Sequence, residues 1–143
     1  MRTALAATII LVFIWRAPGV ADEIRILSSP GGQVGPFLDL FEGVSKMGDR
    51  VVIDGPCMSA CTLVLSVVPN DRICVTRRAV LGFHAARSID RHNRQHAEPE
   101  ATEHMLESYP MPVRDWVRQH GGLTSHLLVL RGRELDRFYP VCR

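Results

Sequence analysis

The sequence has almost no excess of charge of either sign, no apolar run long enough to cross a membrane, no internal repeat and a single lysine. Its 143 residues carry 17 Lys+Arg against 15 Asp+Glu, a formal net charge of +2. Even that excess is local. Arg2 and Arg16 fall in the first 21 residues, which hold no acid, so residues 22–143 carry fifteen charges of each sign. A neutral domain has no bulk field to attract nucleic acid or anionic lipid, which excludes a polyanion as the expected partner. The apolar stretch over residues 4–15 is 12 residues long, whereas a membrane span needs about 20. With neither repeats nor low-complexity tracts, solenoids and linker-like chains are excluded. The lone Lys46 carries no chemistry of its own.

What is present describes one ordinary globular domain. Hydrophobic residues make up 46% and charged residues 22%, which rules out wholesale disorder and collagen-like structure. The length accommodates one domain, at about 100–200 residues each. Residues 1–21 read as a secretory signal: Arg2 opens it, the apolar run follows, and Gly19-Val20-Ala21 offers small residues at the −3 and −1 positions of a cleavage site. The expectation is a signal peptide over 1–21 and a domain over 22–143, periplasmic or secreted from a bacterial cell. The alternative is an anchor formed by an uncleaved N-terminal segment. Once the signal is cleaved, no membrane association is expected.

Four cysteines remain in the mature segment, Cys57, Cys61, Cys74 and Cys142, an even number in an exported domain. Three pairings are open. Proximity favours Cys57–Cys61, leaving Cys74–Cys142, provided Cys57 sits in a turn ahead of the helix. A redox or metal pair at Cys57 and Cys61 is the rival, but the spacing is not Cys-x-x-Cys.

Apolar periodicity places a strand at 24–27, a helix over 34–47 stopped by Gly48, and a buried strand at 51–53. A buried helix over 59–68 and strands at 72–76 and 79–83 follow. Strand, helix, strand, helix, strand is the α/β pattern of parallel strands joined by right-handed crossovers. Residues 87–103 are polar and read as a surface excursion or flap. Helices at 102–108 and 113–120, an apolar stretch at 127–130 and a final helical turn at 133–138 complete the chain, with Trp116 and Phe138 in the core.

Three pieces could carry chemistry, and each follows a buried strand. Ser29-Pro30-Gly31-Gly32 supplies backbone N–H groups unobstructed by Cβ atoms. Taken alone it is a common turn. Cys57-Met58-Ser59-Ala60-Cys61 puts Ser59 on a strand-to-helix turn, at the positive end of a helix dipole. Its bland role is an N-cap. Gly82-Phe83-His84 ends a strand with a histidine 25 residues beyond the serine, and a lone histidine there is ordinarily structural.

Together, in this order and spacing, the three resemble the Clp-type serine peptidases and their periplasmic relatives, within the ClpP/crotonase superfamily. The resemblance covers residues 23–84, and Leu130-Arg131-Gly132-Arg133-Glu134-Leu135 is similar to the short helix before that family's last strand. It implies a ClpP/crotonase-like spiral of parallel strands and helices, compact, with a small C-terminal helical part. It implies Ser59 as nucleophile, His84 as general base, and an oxyanion hole from the N–H groups of Gly32, Gly31 and Ala60. The substrate would be a peptide or protein, with no cofactor and a homo-oligomer as the family's habit.

The sequence departs from that family in two places. Ala85-Ala86 follows the histidine where the peptidases have Gln-Pro, and the position expected to hold the triad's acid falls at Leu127, beside His126. Asp90, Glu98 and Asp115 are in segments able to reach His84. A Ser–His dyad oriented by a carbonyl is the other way to complete the site. The alternative function is a binding or interaction module on the same fold, its catalysis lost. A crotonase-like acyl-thioester enzyme would use the Gly-Gly loop but leaves Ser59 and His84 without a role. His92, His96 and His104 have zinc-like spacing but lie in a solvated polar stretch, and no metal is expected.

Overall fold

The structure, a computed structural model, describes residues 21–143; the signal peptide expected over 1–21 lies outside them but for its last residue. The chain begins with β1 (Glu23–Ile26), then α1 (Val34–Met47), β2 (Arg50–Ile53) and β3 (Pro56–Met58). A 3-10 turn (Ser59–Leu63) runs into the short helix α2 (Val64–Val67), followed by β4 (Ile73–Val75) and β5 (Val80–Phe83). Next come a hairpin of β6 (Arg87–Ile89) and β7 (Gln95–Ala97), helices α3 (Pro99–Ser108) and α4 (Met111–Gln119), strand β8 (Leu128–Arg131) and α5 (Gly132–Leu135). It is a mixed α/β architecture with parallel strands at its centre.

Two three-stranded sheets form instead of one. The first has the order β1-β2-β4, all parallel; the second has β3-β5-β8, with β3 and β5 parallel and β8 antiparallel. The sheets meet where Ser29 bridges Cys57, its N–H donating to Pro56 O at 2.7 Å while Met58 N–H donates to Ser29 O at 2.9 Å. The neighbouring crossing at Gly55 is so close that a Cβ there would lie 1.9 Å from Leu27 O. Only glycine passes.

Val51, Val52 and Ile53 are fully buried because β2 is the middle strand of its sheet, covered on both faces. The helix α1 turns Phe41 and Val44 inward and ends at Gly48, whose φ of +82° lets its N–H turn back to Ser45 O. Phe83 of β5 meets Tyr109 edge-on at 5.3 Å and Trp116 at 6.2 Å, which seats α3 and α4 on the second sheet. Phe138 is half-buried against the same core.

One expectation is corrected, and another is given its form. Residues 59–68 do not form one α-helix: the first five residues wind as a 3-10 turn and only Val64–Val67 is α-helical. The stretch 87–103 is exposed, as a surface excursion would be, and has a structure that its composition did not reveal. It is the β6–β7 hairpin, turned at Asp90, whose carboxylate accepts the N–H groups of His92 at 2.8 Å and Arg94 at 3.0 Å, and then the first turn of α3. Its composition hid the pairing because neither face of this hairpin is buried, so no apolar alternation marks it.

Candidate functional site

Beyond β1 the chain turns at Ser29-Pro30-Gly31-Gly32, with Gly31 at φ +84°. A Cβ on Gly31 would stand 2.5 Å from Met58 O and 2.6 Å from Ser59 Cβ. The glycine loop is thus pressed against the serine turn, and any larger residue would push the two apart. Gly31 N–H is engaged by Ser29 Oγ at 3.3 Å. Gly32, which lines the cavity, has no acceptor for its N–H among the described residues.

Ser59 is held at φ +55°, a left-handed conformation that side-chain-bearing residues rarely adopt. Such a residue costs about 1–3 kcal/mol and persists only where its surroundings over-determine it. Three restraints do so here. The Cys57–Cys61 disulfide ties the two ends of the turn, with Cα atoms 5.3 Å apart. Thr62, fully buried, donates its hydroxyl to Ser59 O at 2.7 Å. Since that proton is committed, Tyr109 must donate its own to Thr62 Oγ1, 2.6 Å away. Burial pushes the Tyr109 phenol up to about 12, against the opposing effect of Thr62, so it stays a protonated donor. The N–H of Ala60, in the first turn of the 3-10 segment, has no intrahelical acceptor.

His84 follows directly on β5 and is half-buried. Its Nδ1 lies 2.7 Å from Ala85 O. A carbonyl can only accept, so Nδ1 carries a proton, and in the neutral ring the lone pair is on Nε2. Ala85 N–H donates to Thr124 O at 2.7 Å, and Ala86 is fastened between Thr102 Oγ1 (3.0 Å) and Glu98 N–H (3.1 Å). The backbone that presents the imidazole is anchored on both sides.

These residues converge. Gly31, Gly32, Ser59, Ala60 and His84 all line one cavity of about 560 Å³, together with Gln33, Val34, Met105 and residues 85–89. Among the described residues no hydrogen bond closes between the Ser59 hydroxyl and His84, and no carboxylate is within ion-pair reach of the imidazole. Of the three acids considered from sequence, Asp90 is taken by Arg94 and His96, Glu98 caps α3 through its backbone, and Asp115 lies on α4. The register of β8 shows which residue follows the last strand pair next to His84. Phe83 pairs with Leu128, so Leu127 comes opposite His84, with its Cδ1 packed over Gly82.

Of the four cysteines, Cys57–Cys61 belongs to the site, whereas Cys74–Cys142 pins the C-terminus to β4, far along the chain. Thr62 and Tyr109 were not foreseen. Thr62 lies three residues past the serine and could have been noticed, but nothing local marks Tyr109, 47 residues further on. Among the described residues no cluster of three metal-ligating side chains occurs, and no helix is long and apolar enough to cross a membrane.

No protein-family model and no curated protein sequence matches the chain. Among solved structures it is similar to a ClpP1 point mutant from Listeria monocytogenes, at 16% identity over 83% of this chain and 71% of that one, with a TM-score of 0.47.

Proposed function

We propose that this protein is a serine hydrolase that cleaves peptide bonds through a Ser59–His84 dyad, on a ClpP/crotonase-like fold. The carrying observation is that a strained serine, a histidine with its Nε2 lone pair free and two unengaged backbone donors line a single cavity. In this reading Ser59 Oγ attacks the scissile carbonyl carbon while its proton passes to His84 Nε2. The carbonyl oxygen takes the negative charge and is held by the N–H groups of Gly32 and Ala60. Collapse breaks the C–N bond, and His84 returns the proton to the leaving amine. Water then repeats the sequence on the acyl-enzyme and frees Ser59. The Ala85 carbonyl does what an aspartate would do for tautomer and ring orientation. As a dipole instead of a full charge, it stabilises the imidazolium less, so turnover is slower than a triad would give.

The compartment belongs to the same reading. Two disulfides point to an oxidising compartment, and with the N-terminal signal pattern they support export to the periplasm or beyond.

One observation favours a second reading, a peptide-binding module without turnover: no carboxylate supports His84, and the position beside it is Leu127. A fluorophosphonate probe separates the two. The hydrolase reading requires labelling of the wild type at Ser59, abolished in Ser59→Ala and slowed at least a hundredfold in His84→Ala. A wild type that binds peptides but resists the probe would establish the binding module instead.

A further inference from the structure

Among the described residues, one permanently charged side chain lines the cavity. Arg87, the first residue of β6 and three residues past His84, lines it, while no aspartate or glutamate does. Its guanidinium is exposed and makes no ion pair with a described carboxylate. This is not for want of acid in the hairpin: Asp90 is nearby in sequence but spent, receiving Arg94 Nε at 2.9 Å, His96 Nε2 at 3.0 Å and two backbone N–H groups. That surplus of donors holds the Asp90 carboxyl down at about 2, the backbone N–H of Arg94 contributing most.

Arg87 is also held in place. Its backbone pairs with Ala97 in the hairpin, and the hairpin's root is fastened at Ala86 by Thr102 and Glu98. Arg87, Ser88 and Ile89 of β6 all line the cavity, Arg87 and Ile89 two apart on one face of the strand, with Met105 and Val34 as further apolar wall. A cation beside apolar surface, with no anion of its own, is half of a recognition pair.

Resting on the serine-hydrolase reading, we propose that the site selects substrates with a carboxylate near the scissile bond, bound by Arg87, next to an apolar group seated against Ile89 and Met105. The carboxylate comes either from an Asp or Glu side chain or from the C-terminus of the substrate. Both offer the same planar pair of acceptors to the guanidinium fork.

The experiment compares peptidyl phosphonates of one length, with Glu, Gln or Lys next to the reactive phosphorus, by their second-order rates of Ser59 labelling. A further pair, ending in a free or an amidated C-terminus, tells the two carboxylate sources apart. In the wild type at low salt the Glu or free-carboxylate probe should react about tenfold faster than its neutral counterpart, the scale of one charge-assisted hydrogen-bonded pair. The ratio should fall to about one in Arg87→Gln, reverse in favour of the Lys probe in Arg87→Glu, and take an intermediate value in Arg87→Lys, which keeps the charge but loses the fork. The readout is a ratio within each variant, so a general loss of rate does not imitate the result. A wild-type ratio near one for both carboxylate sources, or a preference that persists in Arg87→Gln, overturns the proposal while leaving the hydrolase intact. Failure of every probe to label Ser59 removes the hydrolase reading and this specificity with it.

Discussion

At the residue scale the site turns on Ser59 and what holds it left-handed. Thr62 is central because one hydroxyl serves two neighbours, donating to Ser59 O and accepting from Tyr109. Thr62→Val keeps the shape but leaves both groups unsatisfied in a buried place, at about 1–3 kcal/mol each. The expected outcome is a fall in melting temperature together with a roughly tenfold slower labelling of Ser59 at saturating probe. Thr62→Ser should recover both. If Thr62→Val only melts earlier and labels at the wild-type rate when folded, the pair supports the core and not the turn. Serine and histidine could be picked out in the sequence because each closes a buried strand, at the expected separation. The Ala85 carbonyl could not, since every residue has one.

Among the elements, the serine turn is the one whose conformation departs from its sequence pattern. The mostly apolar residues over 59–68 predict a buried helix, yet the first five wind as 3-10. The Cys57–Cys61 bond, Gly31 and Thr62 all act on that segment. Closing so short a loop stabilises the protein by about 2 kcal/mol in the chain-entropy view. Replacing both cysteines by alanine should therefore lower stability modestly while slowing Ser59 labelling by more than tenfold. Denaturant unfolding and labelling kinetics on the same sample check this, and unchanged labelling would assign the bond to stability alone. The hairpin contributes differently: anchored at Ala86 and Glu98, it brings Arg87 and Ile89 to the cavity wall.

Across the whole molecule the two sheets are fastened around Asp54, a buried carboxylate at their crossing. It accepts from Arg78, from Thr76 Oγ1 at 2.7 Å and from Arg25 Nη1 at 3.1 Å, and so joins β1, the β2–β3 crossing and the β4–β5 link. Arg78 foremost, then Thr76, holds its carboxyl well below the usual carboxylate range, against the opposing effect of burial. A depressed carboxylate stabilises the fold fully above its ordinary value near 3.8, and that contribution fades as pH falls below it. Asp54→Asn should thus be much less stable than wild type at pH 7, with the gap narrowing steadily from pH 4 to pH 2. Urea midpoints across that range measure it, and a constant gap would contradict the assignment. The Cys74–Cys142 bond spans 68 residues and holds Val141 beside Val75. A loop of that length is worth about 4 kcal/mol in the same entropic view.

Unlike β3 and the β6–β7 hairpin, the strand–helix–strand order of β1, α1 and β2, the strands β4 and β5, the helix that stops at Gly48 and the three chemical fragments were readable from residues alone. Each is written in interactions among neighbours a few positions apart: period-2 and period-3.6 burial, a left-handed glycine, small residues in a turn. Partnership across the fold is not written that way. The division into two sheets, the antiparallel entry of β8 that sets Leu127 opposite His84, and the bond from Tyr109 to Thr62 depend on register and packing between segments tens of residues apart. The missing acid shows the difference most clearly. Sequence placed Leu127 where an acid would be expected, and only the folded chain shows that His84 Nδ1 meets the carbonyl of Ala85, an acceptor no sequence pattern marks.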